Sequence, residues 1–308
     1  MDGKETHPMK RLILSIVLFL PLMAHAEHLF EMGVHGGVVG WTTQPVYVRS
    51  QVGFNGGAHL YYDYLSPYVI GFRVGVTCDY HNAGLGTRNY EDHYSTIDKD
   101  DQVMDIDYTI GHLSERFSMW SVGIPVQLAF SAKNVLFLVG GKAVFPLTNH
   151  WKQSAENAAL SVYYPAYDNR VYEAYALAAS RNFAMYNEGK LALPKVQWWL
   201  SAELSYKIQL NTRSQSHRSY LIVGAYCDYC LTNYTPGRSD AISLIMLTDT
   251  RDGLPLQRIL TPVMEANRQG EKLVSRLALF DIGIKVSYAI SSHTTARRQS
   301  YPCRCLLY

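Results

Sequence analysis

Apolar and polar residues alternate with a period of two in eight separate runs of this chain. That is the pattern of a strand with one apolar face. The clearest run lies near the C-terminus, where Phe280, Ile282, Ile284, Val286 and Tyr288 alternate with Asp281, Gly283, Lys285 and Ser287. Seven earlier runs cover about residues 28–40, 51–64, 69–82, 118–131, 135–148, 196–209 and 218–232. Their polar positions, with those of the last run, carry Glu31, Arg73, Asp79, Lys142, Glu203, Lys207, Asp228, Asp281 and Lys285. In a soluble strand the apolar face meets a core. In a membrane barrel it meets lipid, and the polar face lines the lumen.

The connections favour the membrane reading. Short ones fall near 65–68, 132–134 and 210–217, and longer ones near 41–50, 83–117, 149–195 and 233–273. A strict alternation of long and short is the plan of an outer-membrane barrel, with short periplasmic turns and long extracellular loops. The prediction is all-β: an eight-stranded antiparallel up-and-down transmembrane β-barrel with both termini in the periplasm. Aromatic residues agree with it. Tyr80, Trp120, Phe145, Trp198 and Tyr229 fall at strand ends beside long loops, and Phe30, Tyr62, Tyr64, Phe130, Tyr206 and Tyr288 fall at the opposite ends. They predict two aromatic girdles at the membrane–water interfaces. A barrel of eight strands is about narrow enough for side chains to fill it. The charged polar face therefore predicts a paired, plugged lumen.

Composition narrows the picture further. The chain has 308 residues, 18% of them charged, with a formal net charge of +2. Nothing in that balance suggests a nucleic-acid partner. Tyrosine is abundant at 23 residues, which suits an apolar surface that ends at water. Lys10-Arg11, the apolar run Leu12–Met23 and Ala24-His25-Ala26 have the layout of a secretory signal peptide. Residues 1–26 are read as that signal, 27–290 as the barrel and 291–308 as a short unstructured periplasmic tail. The expected location is the outer membrane of a Gram-negative bacterium. The expected partners are outer-membrane lipid and, through the long loops, an extracellular ligand.

Candidate chemistry is sparse. Cys227 and Cys230 lie three apart on one run, so they point to opposite faces and cannot share a metal; Cys78, Cys303 and Cys305 make the total odd. The segment Asn89–Asp107 holds Glu91, Asp92, Asp98, Asp100, Asp101, Asp105 and Asp107 against one lysine. Oxygen ligands of this kind suit Ca²⁺ or Mg²⁺, but the EF-hand glycine and distal glutamate are missing, and a solvated acidic loop is the preferred reading. His81, His93, His112 and His150 lie at the height of the outer leaflet, and Asp92, His93 and Ser95 supply the residue types of a hydrolytic triad without a matching motif. The chain is not expected to be an enzyme or to carry a cofactor or metal. Tyr164, Tyr167, Tyr172, Tyr175 and Tyr186 make the third long connection a candidate recognition surface.

WSVGIPVQLAF (120–130), FLVGGKAVFPL (137–147), VYYPAYDN (162–169), LIVGAYCDYCLTN (221–233) and DIGIKVSYAI (281–290), in this order along the chain, carry a resemblance. The chain resembles Bacteroides-type outer-membrane β-barrel proteins over about residues 27–290, in particular the barrel half of OmpA-like proteins. Asp281, Gly283, Val286 and Tyr288 also resemble the C-terminal β-signal read by barrel-assembly machinery, which makes that machinery a further expected partner. The resemblance implies an eight-stranded barrel. The OmpA-like peptidoglycan-binding domain has no counterpart in SSHTTARRQSYPCRCLLY after Ile290, so anchoring is not carried over. The expected role is structural or surface interaction with a filled lumen. Porin-like permeation of small solutes is the alternative, followed by outer-leaflet lipid modification.

Overall fold

The structure, a computed structural model, describes residues 27–43, 47–66, 70–97, 101–171, 180–210, 217–235, 243–248, 257–269 and 271–293. The signal-like segment, Cys303, Cys305, Tyr172, Tyr175 and the expected tail beyond His293 lie outside them.

Eight strands close into one antiparallel barrel. They are β1 (Glu27–Thr43), β2 (Arg49–Leu65), β3 (Ile70–Ile97), β4 (Val103–Ala132), β5 (Val135–Tyr164), β6 (Gln197–Gln209), β7 (His217–Cys230) and β8 (Leu277–His293). Each pairs with its neighbours in sequence, and β1 pairs with β8 to close the ring. Val34, for example, lies opposite Val286 on one side and Ala58 on the other. Closure leaves no sheet edge within the barrel wall, the condition for a β-structure that spans a bilayer. The expected eight strands and their order are those observed.

The long connections differ from expectation. Residues 83–97, 103–117 and 149–164 are strand and not loop, so β4 and β5 each run for 30 residues. A membrane crossing needs about 9–11, so these strands stand far above the bilayer. Together with Ser180–Gly189, which pairs with β5, they form an extracellular sheet. One face of that sheet is apolar. Met104, Ile106, Ile110, Leu113, Leu160 and Val162 point inward and are buried. The segment between β7 and β8 covers them with Leu244, Ile245, Leu260, Val263, Met264 and Val274. Of the acidic cluster, Glu91, Asp92, Asp105 and Asp107 accordingly lie on strands, with Asp92 buried and Glu91 exposed, and Asp98 and Asp100 lie outside the described residues.

Candidate functional site: a sealed lumen and an extracellular head

The barrel interior has three layers. Residues with the inward phase on β1 are Glu27, Leu29, Glu31, Gly33, His35, Gly37, Val39 and Trp41. Leu29 joins Leu65, Leu136, Leu138, Ile222 and Ala289 in an apolar cluster near the periplasmic end. Val39 and Trp41 belong to the large apolar core that continues into the head. Between these seals the lumen is charged.

Arg73 is the centre of the charged layer and is 0% exposed. Its Nε and Nη2 donate to both carboxylate oxygens of Asp63 at 2.6 and 2.8 Å. Nη2 also donates to Glu31 at 2.6 Å, and Nη1 to Glu203 at 2.9 Å. Lys285 pairs with Glu31 at 3.0 Å and Glu203 at 2.6 Å. One level higher, Lys142 donates to Asp79 at 2.7 Å and lies 3.6 Å from Asp228. His35 lies 3.0 Å from Asp79, and His81 2.8 Å from Asp281. Eight of the nine residues named from sequence thus occupy this layer. Lys207 is separate, 3.4 Å from Glu27 at the periplasmic end.

Sequence reasoning missed three groups. Asp63 has the inward phase on β2 and is absent from the charge set read from sequence, yet the Arg73 fork closes on it. Glu27 sits just at the chain's expected cleavage point. His81 does follow Tyr80 at the height of the outer aromatic border, but the inward phase of β3 turns it into the lumen. Counting phase from Arg73 through Asp79 finds it. Gly283 has a geometric reason to be glycine, because a Cβ there would come within 2.7 Å of the Tyr226 hydroxyl. That ring fills the lumen beside it and accepts a 2.8 Å hydrogen bond from Asn55. Of the remaining β-signal residues, Asp281 points inward, while Val286 and Tyr288 point outward.

The outer surface at this height is apolar. Val34, Leu60, Val126, Leu204, Ile284 and Val286 are exposed, Ile284 to 66%. Aromatic residues bound the belt. On the extracellular side Tyr80 packs on Phe54 and Trp120 at centroid distances of 5.7 and 5.1 Å, and Trp198 is exposed and Tyr229 half-buried. On the other side Phe30 packs on Tyr62 at 5.2 Å and Phe130 on Phe137 at 6.1 Å, with Tyr206 exposed. Tyr64 is buried, stacked on Phe72 at 5.2 Å and covered by His28. Cys78 and Cys227 face outward and Cys230 inward, as strand phase requires. A continuous apolar belt on a closed barrel is stable only against lipid, since contiguous apolar surface of that size is rare on soluble monomers.

The head holds the remaining candidates. Asp92 turns into its core and accepts hydrogen bonds from Tyr108 at 3.1 Å and Ser243 at 3.0 Å, and Tyr108 and Ser243 also bond to one another. Burial beside this carboxylate pushes the hydroxyls of Tyr90 and Tyr108 well above the usual phenol range. His93 and Ser95 face the opposite way, and Ser95 donates to Asp105 at 2.6 Å. Asp92, His93 and Ser95 therefore do not assemble. His112 is half-buried on the outer face, and His150 lies 3.4 Å from Glu188. Among the described residues no group of three His, Cys, Asp or Glu could hold a metal ion. Glu115 is buried between Leu113 and Phe117 and accepts the Val263 backbone N–H at 2.8 Å. Burial raises its carboxyl to about 7. Tyr167 and Tyr186 are exposed, while Tyr164 packs against the core.

No protein-family model and no curated protein matches the chain. Solved structures with a similar course include Ail, the attachment invasion locus protein of Yersinia pestis (10% identity, 84% of this chain and 98% of that one, TM-score 0.24). Neisserial surface protein A, NspA, gives 10% identity over 85% and 97%, with a TM-score of 0.28. The outer membrane protease OmpT of Escherichia coli gives 7% over 87% and 96%, with a TM-score of 0.24. From its own geometry, a closed antiparallel barrel of even strand number with an apolar belt and two aromatic borders, the chain is a transmembrane barrel of the bacterial outer-membrane type.

Proposed function

We propose that this protein is a non-conducting outer-membrane barrel that holds a folded β-head at the cell surface, with a structural or surface-interaction role. The observation that carries the reading is the layered interior. A charge network lies between two apolar seals, and the void beside Lys142, Glu203 and Tyr226 is about 30 Å³, room for roughly two water molecules. Such an interior favours anchoring over permeation of small solutes. The divergence of Asp92 from His93 and Ser95 weighs against lipid modification by that trio. The resemblance to OmpA-like barrels supports the same structural role.

Two measurements test this reading. The full chain reconstituted in planar bilayers is expected to give no unitary conductance steps, and steady steps would overturn the sealed lumen. A Tyr186→Cys variant on intact cells is expected to react with a membrane-impermeant thiol reagent, because Tyr186 is 76% exposed on the head. Labelling only after cell lysis would overturn surface display.

A further inference from the structure

One groove of the head collects cations that the other described residues leave without an ion pair. It encloses about 690 Å³ where β2 begins and β3 continues upward, a size in the range of ligand sites. Arg49, Arg88 and Arg268 line it, with His112. Glu91 is the single acid on its wall. In the lumen every arginine or lysine has a carboxylate within ion-pair distance. Among the described residues none of these three arginines has one.

Local geometry aims them at a common space. Asn89 adopts the left-handed φ of 51°, which interrupts the alternation of β3, so Arg88 and Asn89 are both exposed in succession. Arg49 is exposed at the start of β2, opposite Gly86, and the Gln51 amide lies over that glycine. Arg268, from the covering segment, stacks its guanidinium 3.9 Å from the Tyr47 ring centroid and 5.8 Å from that of Tyr90. Stacking occupies the faces of the guanidinium and leaves its N–H edges for a planar or tetrahedral anion. Its Nε is buried without a hydrogen-bond partner. The other wall residues are Ser50, Gln51, Thr87 and Asn89, with no aliphatic side chain.

We propose that this groove binds an acidic oligosaccharide, a sugar chain bearing carboxylate or phosphate groups. The arginine edges would take the anionic groups bidentately. The amides and hydroxyls suit ring hydroxyls, and Tyr47, 46% exposed, offers a face for a sugar ring. An acidic peptide added to the edge of β3 fits less well, because Glu91, on the groove wall, and Asp92 and Asp107 beyond it would repel it. The proposal deepens the surface-interaction reading and rests on it.

The test uses the full chain in phospholipid nanodiscs and a fluorescent oligogalacturonate, read by anisotropy. Saturable binding is expected, with a neutral malto-oligosaccharide failing to compete. Arg268→Ala and the exposed pair Arg49→Ala/Arg88→Ala are each expected to weaken binding about tenfold or more, the effect of losing a charged hydrogen bond. Arg268→Lys should recover only part of it. An unboiled gel shift confirms that each variant keeps its barrel, and the double variant keeps the proposal testable should Arg268→Ala disturb the covering segment. Repeating the titration in nanodiscs containing lipopolysaccharide separates the sources. Loss of oligogalacturonate binding there assigns the groove to sugars of the protein's own leaflet, and retention assigns it to an external glycan. No saturable binding, binding indifferent to the arginines, or equal binding of inorganic phosphate or poly-glutamate would overturn the proposal. If that happens while bilayers stay silent and Tyr186→Cys labels on cells, the ligand alone is wrong and the display reading stands.

Discussion

The lower and upper halves of β4 are one continuous strand with opposite polarity. From Trp120 to Leu128 the outward residues Trp120, Val122, Ile124, Val126 and Leu128 are apolar, and the inward ones include Ser121 and Gln127. From Met104 to Met119 the inward residues Met104, Ile106, Ile110, Leu113, Phe117 and Met119 are apolar and buried, while Asp105, Asp107, Thr109, Ser114, Arg116 and Ser118 face outward. The in–out phase of β4 is unbroken across Trp120, although its pairing with β5 shifts register between Trp120 and Ser121. What changes is the solvent outside, from water above to lipid below, and the apolar face turns to whichever side is drier. β3 and β5 invert at the same height, and the aromatic border at Tyr80 and Trp120 marks the level.

The strongest way to break the lower half is to remove its central cation. Arg73→Ala leaves Glu31, Asp63 and Glu203 with Lys285 as the remaining nearby lysine, and a buried pair broken on one side loses about 3–5 kcal/mol. The urea midpoint for loss of the fast-migrating unboiled band should fall accordingly. The upper half breaks through its apolar core. Leu113→Ala should cost about 2–5 kcal/mol, and its expected reading is different: protease sensitivity of the head with the barrel band retained. If the band and the head fail together, the two halves are one cooperative unit and the contrast between them is only compositional.

This inversion also explains what the sequence revealed. The eight crossings were legible because lipid demands an uninterrupted apolar face, which makes alternation conspicuous over residues such as 280–288. The head was missed because its apolar residues alternate with charged ones that resemble loop text. Left-handed residues break the phase as well, at Asn89 and Asn157, and at Asn157 the pairing with Ser180–Gly189 also shifts register. Asp92 illustrates the cost: in a loop it is one acid of a cluster, whereas on β3 it is a buried acceptor for Tyr108. The lumen charges were legible from phase alone, but their grouping was not. Lys207 and Arg73 share a face pattern, and only the apolar layer of Leu29, Leu136 and Leu138 separates them. The arginine groove left no signal, since Arg49, Arg88 and Arg268 come from three segments with no common motif.

A charge placed on the outer face sharpens the boundary itself. Val126→Lys puts an ammonium against lipid and should cost about 2–4 kcal/mol of barrel stability near the midplane. Thr109→Lys, on the outer face of the same strand 17 positions earlier, should change stability by no more than about 0.5 kcal/mol. Stepping a lysine along the outward positions between them and following the urea midpoint would trace where water ends. A uniform cost at both heights would mean that the head, too, is immersed in an apolar phase.

The smallest expected effect is a pH dependence confined to the head. The Glu115 carboxyl is raised from 4.5 to about 7, chiefly by burial and further by Glu265, while the Val263 N–H works in the opposite direction. The folded head therefore holds the proton more tightly than the open one. Its contribution is complete below pH 4.5 and is lost as the pH rises through about 7. Between pH 6 and 8 the change is on the order of 1 kcal/mol. Hydrogen exchange at the Val263 amide, corrected for intrinsic rates, should show weaker protection at pH 8 than at pH 6. Amides of the lumen strands should not follow the same curve. Glu115→Gln keeps an acceptor for Val263 and removes the titration, so its protection should be flat across this range. Protection that still falls with pH in Glu115→Gln would place the titrating group elsewhere in the cover, and the buried carboxylate would then be neutral or paired throughout.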